Sequence, residues 1–93
     1  MNETNLHRGF EAGNFANAYE TDDLEIALEN ADHKLGQDYL DAFIMGFFST
    51  YELHEIPSDN LDQYETAYWS RAGRACVRYG FIDPQCWHAY YLR

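Results

Sequence analysis

At 93 residues, with 46% hydrophobic and 17% aromatic residues, the chain is expected to form one domain with its own core, without disulfides or metals. Sixteen acids against six bases leave a net charge of −10, which excludes a general binder of nucleic acid or of anionic membranes, since both demand surface cations. Basic partners are favoured instead.

The opening MNETNLHRGF has neither the basic nor the apolar region of a secretory signal, and the longest apolar run, Ala42 to Phe48, is too short to span a bilayer. The expectation is a cytoplasmic protein in which Cys76 and Cys86 are reduced, small buried hydrophobes. Charge is unevenly placed. Residues 1–66 hold fifteen acids and two bases, Arg8 and Lys34, whereas residues 67–93 hold one acid, Asp83, and four arginines.

A first helix is read over residues 5–19, weakened by Gly9 and Gly13. Thr21 is the expected N-cap of a second over 22–32, with Asp22, Asp23 and Glu25 placed favourably for the helix dipole in its first turn. Its apolar stripe is Leu24, Ala27, Leu28, Ala31 and Leu35. Residues 36–56 are the hydrophobic centre: Leu40, Phe43, Ile44, Phe47, Phe48 and Tyr51 recur at 0, 3, 4, 7, 8 and 11, which predicts one helix covered on more than one side. Gly46 within it marks the close approach of a neighbouring helix.

Ile56-Pro57 ends that helix, and Ser58 or Asp59 caps a further one over 59–79, with Leu61, Tyr64, Tyr68, Ala72, Ala75, Cys76 and Tyr79 on one stripe and Gly80 as its C′ residue. Asp83-Pro84 opens a short last helix carrying Cys86, Trp87, Tyr90 and Tyr91. Strand signals are nearly absent. The fold class expected is all-α, a compact bundle of four to five short helices. Fourteen of the sixteen aromatics fall on helical stripes or beside turns, as core positions do. Trp69 lies off its stripe, and one of the adjacent Tyr90 and Tyr91 must face outward.

The carboxylates are the first candidate site. Asp22, Glu25, Glu29 and Asp32 step by 3, 4 and 3, as Asp59, Asp62 and Glu65 step by 3, with Asp38, Asp41, Glu52 and Glu55 on the helix between. Most charge runs are only solvated faces. Exposed helix faces, however, normally mix signs to gain i,i+4 pairs, and crowding one sign costs stability. Acids three or four apart on a helix recur every ~4.5–6 Å along its axis. Duplex DNA carries about one charge per ~1.7 Å. Two or three adjacent acidic helices would therefore imitate a double row of phosphates.

Arg71, Arg74 and Arg78, at 0, 3 and 7 beside Trp69, are the alternative site, with the composition of an interface hot spot or of a nucleic-acid contact. The preferred reading is internal: these arginines brace the bundle by pairing with carboxylates of the 22–32 or 36–56 helices. His7, His33, His54 and His88 are scattered, no CxxC or phosphate loop exists, and no nucleophile–base arrangement is legible. No metal, cofactor or catalytic residue is expected, and the chain is not read as an enzyme.

A short, acidic, aromatic-rich helical chain with the stretches TDDLEIALENAD and DNLDQYE resembles the small phage-encoded anti-CRISPR and anti-restriction proteins, several of which mimic DNA. That resemblance is one of class. It implies a phage or mobile-element inhibitor, in the cytoplasm of a bacterial host, that binds a basic DNA-recognising subunit of a defence complex stoichiometrically. Asp22, Asp23, Glu25, Glu29, Asp32, Asp59, Asp62 and Glu65 would meet its basic groove. No direct nucleic-acid or membrane binding is expected, and the protein would be a monomer or homodimer. The competing expectation is a helical adaptor or regulatory subunit using Trp69, Arg71, Arg74 and Arg78, the acids serving solubility. A third is a small transcription accessory factor that meets nucleic acid through the arginines.

Overall fold

Three glycines decide how the two central helices meet. A computed structural model describes residues 3–83. In it α1 (Glu3–Tyr19) lies across α3 (Gln37–Phe47) with their backbones in direct contact. A Cβ built on Gly9 would collide with the Tyr39 carbonyl, one on Gly13 with the Phe43 carbonyl, and one on Gly46 with the Phe10 carbonyl. Gly46 thus has the role its position predicts. Gly9 and Gly13, read from the sequence as weak points, are contact points instead. Helix propensity is sacrificed there, at up to ~1 kcal/mol per glycine, for close backbone packing.

Leu6, Phe10 and Ala16 extend the buried face of α1, and Phe43, Phe47 and Phe48 that of α3. Each large side chain so buried stabilises the fold by about 1.5–3 kcal/mol before entropy is counted. Phe48 meets Phe47, Tyr51 and Tyr64 edge-on, at centroid distances of 5.0, 5.1 and 5.8 Å. Around this pair sit α2 (Leu24–Glu29), on α1 and α3, and α4 (Ser58–Trp69) and α5 (Arg71–Arg78), on α3 and on each other. The fold is all-α, with five α-helices and two 3-10 turns among the described residues, and no helix there is long and apolar enough to cross a membrane. The helix expected from Pro84 onward, with Cys86, Trp87, Tyr90, Tyr91 and Arg93, lies outside the described residues.

Three expected helices are interrupted, two of them at side chains that take up backbone hydrogen bonds and the third where side chains bond across to α1. The 22–32 helix is reduced to Leu24–Glu29. Its cap is Asp23, whose Oδ1 accepts from the Glu25 and Ile26 amides at 2.9 and 3.4 Å; Thr21 only accepts the Asp23 amide at 3.0 Å. Asn30 folds its amide back on the Ile26 carbonyl at 3.1 Å, and Asp32 caps a 3-10 turn by accepting from the Lys34 amide at 3.1 Å.

The 36–56 helix ends at Phe47. Ser49 and Tyr51 leave it to accept hydrogen bonds from Asn14 and Asn17 of α1, at 2.9 and 3.1 Å, and Glu52 and Glu55 belong to a separate 3-10 turn. The 59–79 helix breaks at Ser70, whose extended backbone and hydroxyl, accepting from the Gly73 amide at 3.0 Å, start α5 afresh. Before it, α4 begins at Ser58 with Pro57 in the cap position, rather than being capped by Ser58 or Asp59. At the other end of α5, Gly80 takes a φ of +80° just past Tyr79, the left-handed position a C′ glycine fills at no steric cost.

Candidate functional site

The acidic residues reach the surface from separate pieces of backbone. Glu25 and Glu29 project from α2; Asp22 and Asp23 precede it and Asp32 follows it, so the expected four-residue row along one helix face is not formed. Asp59 and Asp62 are exposed on α4, while Glu65 is partly buried. Because α2 rests on α1 and α3, and α4 on α3 and α5, the two acidic stretches are not a packed pair of parallel helices.

Their local roles differ. Asp23 and Asp32 are helix and turn caps, held by the backbone amides they accept. Glu55 likewise accepts the Glu52 amide at 2.8 Å. Asp22, Glu25, Glu29, Asp59 and Asp62 have no such duty and, among the described residues, no ion-pair partner. These five are solvated charges of one sign, in a stretch where only Arg8 and Lys34 oppose them.

On α5 the arginines share the outer face, as their spacing predicts, while Ala72, Ala75 and Cys76 face the core. Among the described residues only Arg71 braces the bundle, donating to Asp38 Oδ2 of α3 at 2.9 Å. The pair is solvent-exposed, so it contributes at most about 1 kcal/mol. Arg74 and Arg78 make no ion pair among the described residues, which leaves the internal reading true of one arginine in three. Trp69, 40% exposed, meets Tyr68 edge-on at 5.3 Å.

Behind Arg71, Asp41 of α3 is half-buried and accepts from Gln37 at 2.9 Å. Burial raises its carboxyl above the ordinary range, and Asp38 adds to that, while hydrogen bonds from Gln37 and Ser70 oppose it. Burial, assisted by Asp41, also pushes the Cys76 thiol up to about 11. A thiol so placed is a core hydrophobe and no nucleophile at neutral pH. No group of three His, Cys, Asp or Glu among the described residues is placed to hold a metal ion.

Three aromatics contradict their expected burial: Tyr79, read as part of the 59–79 stripe, is 45% exposed, and two more lie on α1. Phe15 and Tyr19 of α1, in contact at 4.9 Å with their ring planes tilted by 44°, are 56% and 78% exposed. They face outward because α1 buries its small residues, Gly9, Gly13 and Ala16, against α3.

Comparison of the chain with protein-family models, with curated proteins and with solved structures gave no match. Its surface therefore has to speak for its function.

Proposed function

We propose that this protein is a stoichiometric inhibitor of anti-defence type, encoded by a phage or mobile element, whose acidic surface occupies the cationic nucleic-acid channel of a bacterial defence complex. One observation carries the reading: Asp22, Glu25, Glu29, Asp59 and Asp62 are exposed, uncapped and unpaired among the described residues. A merely soluble surface gains by interleaving cations among its acids; this one forgoes that gain over two-thirds of its length. The mimicry is of charge density and not of a regular phosphate ladder, since the acids stand on separate elements.

The test is a paired-bait capture from bacterial lysate at low salt. One bait is the native chain and the other carries Asp22→Lys, Glu29→Lys and Asp62→Lys, which spare the capping acids. The reading expects a nucleic-acid-binding protein on the native bait alone, released by duplex DNA. The same proteins on both baits would remove it.

A second reading, an adaptor docking through Trp69, Arg74 and Arg78, is favoured by two arginines that have no ion pair among the described residues and stand beside the half-exposed Tyr79. It predicts loss of capture with Arg74→Glu and Arg78→Glu, and indifference to the acidic changes.

A further inference from the structure

Between the second half of α1, the end of α2 and the start of α3 lies a cleft of about 270 Å³. We infer that this cleft is an arginine-binding site, which takes one arginine side chain presented by a basic protein partner; it rests on the acidic surface being a protein-binding surface.

The chemistry of the walls selects that residue. Ala12, Ala16 and Ala31 form an apolar floor suited to the methylene stem of a long side chain. Phe15 lines the side; the residue is more than half exposed and its ring leans on Tyr19 at a tilt of 44°, which leaves ring surface on which a guanidinium stacks. Glu20 and Asp32 close the rim. Asp32 spends Oδ1 on the Lys34 amide, which leaves Oδ2 for a guanidinium, and Glu20 makes no ion pair among the described residues. The field of Asp32 reaches inside: after burial, it is what most raises the Tyr39 phenol in the cleft wall, and Arg8, which opposes it, does not line the cleft.

At about 270 Å³ the cleft lies just below the roughly 300–1,000 Å³ of cofactor and drug-sized sites and has room for a long side chain. Lysine has no planar face to stack and keeps its hydration more tightly. A leucine would leave both rim carboxylates without a partner. Nucleic acid is repelled by the rim.

The test is an amide-resolved NMR titration of the full chain with a nine-residue peptide of alanine and serine carrying one central arginine, and with its lysine and citrulline counterparts. Perturbations confined to Ala12, Phe15, Ala16, Ala31 and their neighbours are expected, with the arginine peptide bound at least fivefold more tightly than the other two. Ala31→Phe fills the cleft and Phe15→Ala removes the stacking wall, and neither alters a charge. Both should abolish that preference; Phe15→Ala, at an exposed position, carries the test if Ala31→Phe disturbs the fold. Equal binding of arginine and lysine peptides, with perturbations spread over the acids of α2 and α4, would overturn the cleft while leaving the acidic surface as a binding surface. No binding by any peptide would also overturn the cleft, and the paired-bait capture would then judge the surface separately.

Discussion

The α1–α3 crossing and the segment around α2 are held together by opposite means. At the crossing, backbone touches backbone through Gly9, Gly13 and Gly46, with phenylalanines packed on either side, and hydrogen bonds from Asn14 and Asn17 join only beyond the end of α3. Around α2, six helical residues are bounded by Asp23 at one end and by Asn30 and Asp32 at the other, with only Leu24 and Ala27 fully buried. The first region is specified by shape. The second is specified by side-chain capping and leaves its remaining acids unused by the fold. Acids that stability does not require are the ones available to a partner.

The largest break in that comparison comes from Gly13→Ala. One methyl group there meets the Phe43 carbonyl and must push α1 off α3. Overpacking a tight core costs about 1–3 kcal/mol or more, a large share of the ~5–15 kcal/mol available to a small domain. Urea denaturation should give a midpoint far below that of the native chain, and Gly46→Ala should behave alike.

Asp23→Ala, by removing a cap, should cost about 1 kcal/mol. By contrast, Glu29→Lys, at an acid without a capping role, should stay within roughly ±0.5 kcal/mol. The same denaturation curves separate the two, and equal losses would mean that the exposed acids are structural after all.

A smaller effect is expected at the brace. Arg71→Ala should lower stability by about 0.2–1 kcal/mol, less at high salt, as befits an exposed pair. The least change, read as a direction, is expected from Asp41→Asn. Burial raises the folded-state pKa of Asp41 above its ordinary 3.8, so the folded protein holds that proton more tightly than the unfolded chain does. The native carboxyl therefore loses stability as pH rises from its ordinary value through the raised one. Asparagine, which does not titrate, should gain relative to it at neutral pH and lose the advantage below pH 3.8. Melting temperatures of both proteins across that range check the sign.

What the sequence revealed follows the same division. Leu40, Phe43, Ile44, Phe47 and Phe48 announced a buried helix because apolar spacing records burial, and it is burial that builds α3. The same spacing misled where the chain turns but stays buried. Tyr51 continues the stripe in register yet packs on Phe48 from beyond the helix end, and Ala72 and Cys76 prolong the α4 stripe across the break at Ser70. Hydrophobic period cannot see these breaks, since they go with polar side chains choosing partners: Ser49 and Tyr51 the carboxamides of α1, and Ser70 the Gly73 amide. Of the candidate site, the sign and exposure of the acids were legible in composition. Their division into caps and unengaged charges was not, because a cap is defined by which amide the carboxylate meets. The cleft beside Phe15 was hidden for a related reason: its floor alanines come from two separate segments, Ala12 and Ala16 from α1 and Ala31 from beyond α2, that only the fold brings together.

The central claim is that the unengaged acids form a binding surface for a cationic protein. Its most direct test is the affinity of the chain for the captured partner as salt is raised between about 50 and 200 mM, where contacts of the phosphate type lose several powers of ten. The account predicts a steep linear fall of log affinity with log salt, shallower for each of Asp22, Glu29 and Asp62 that is neutralised. An affinity indifferent to salt, and to those three changes, would contradict it.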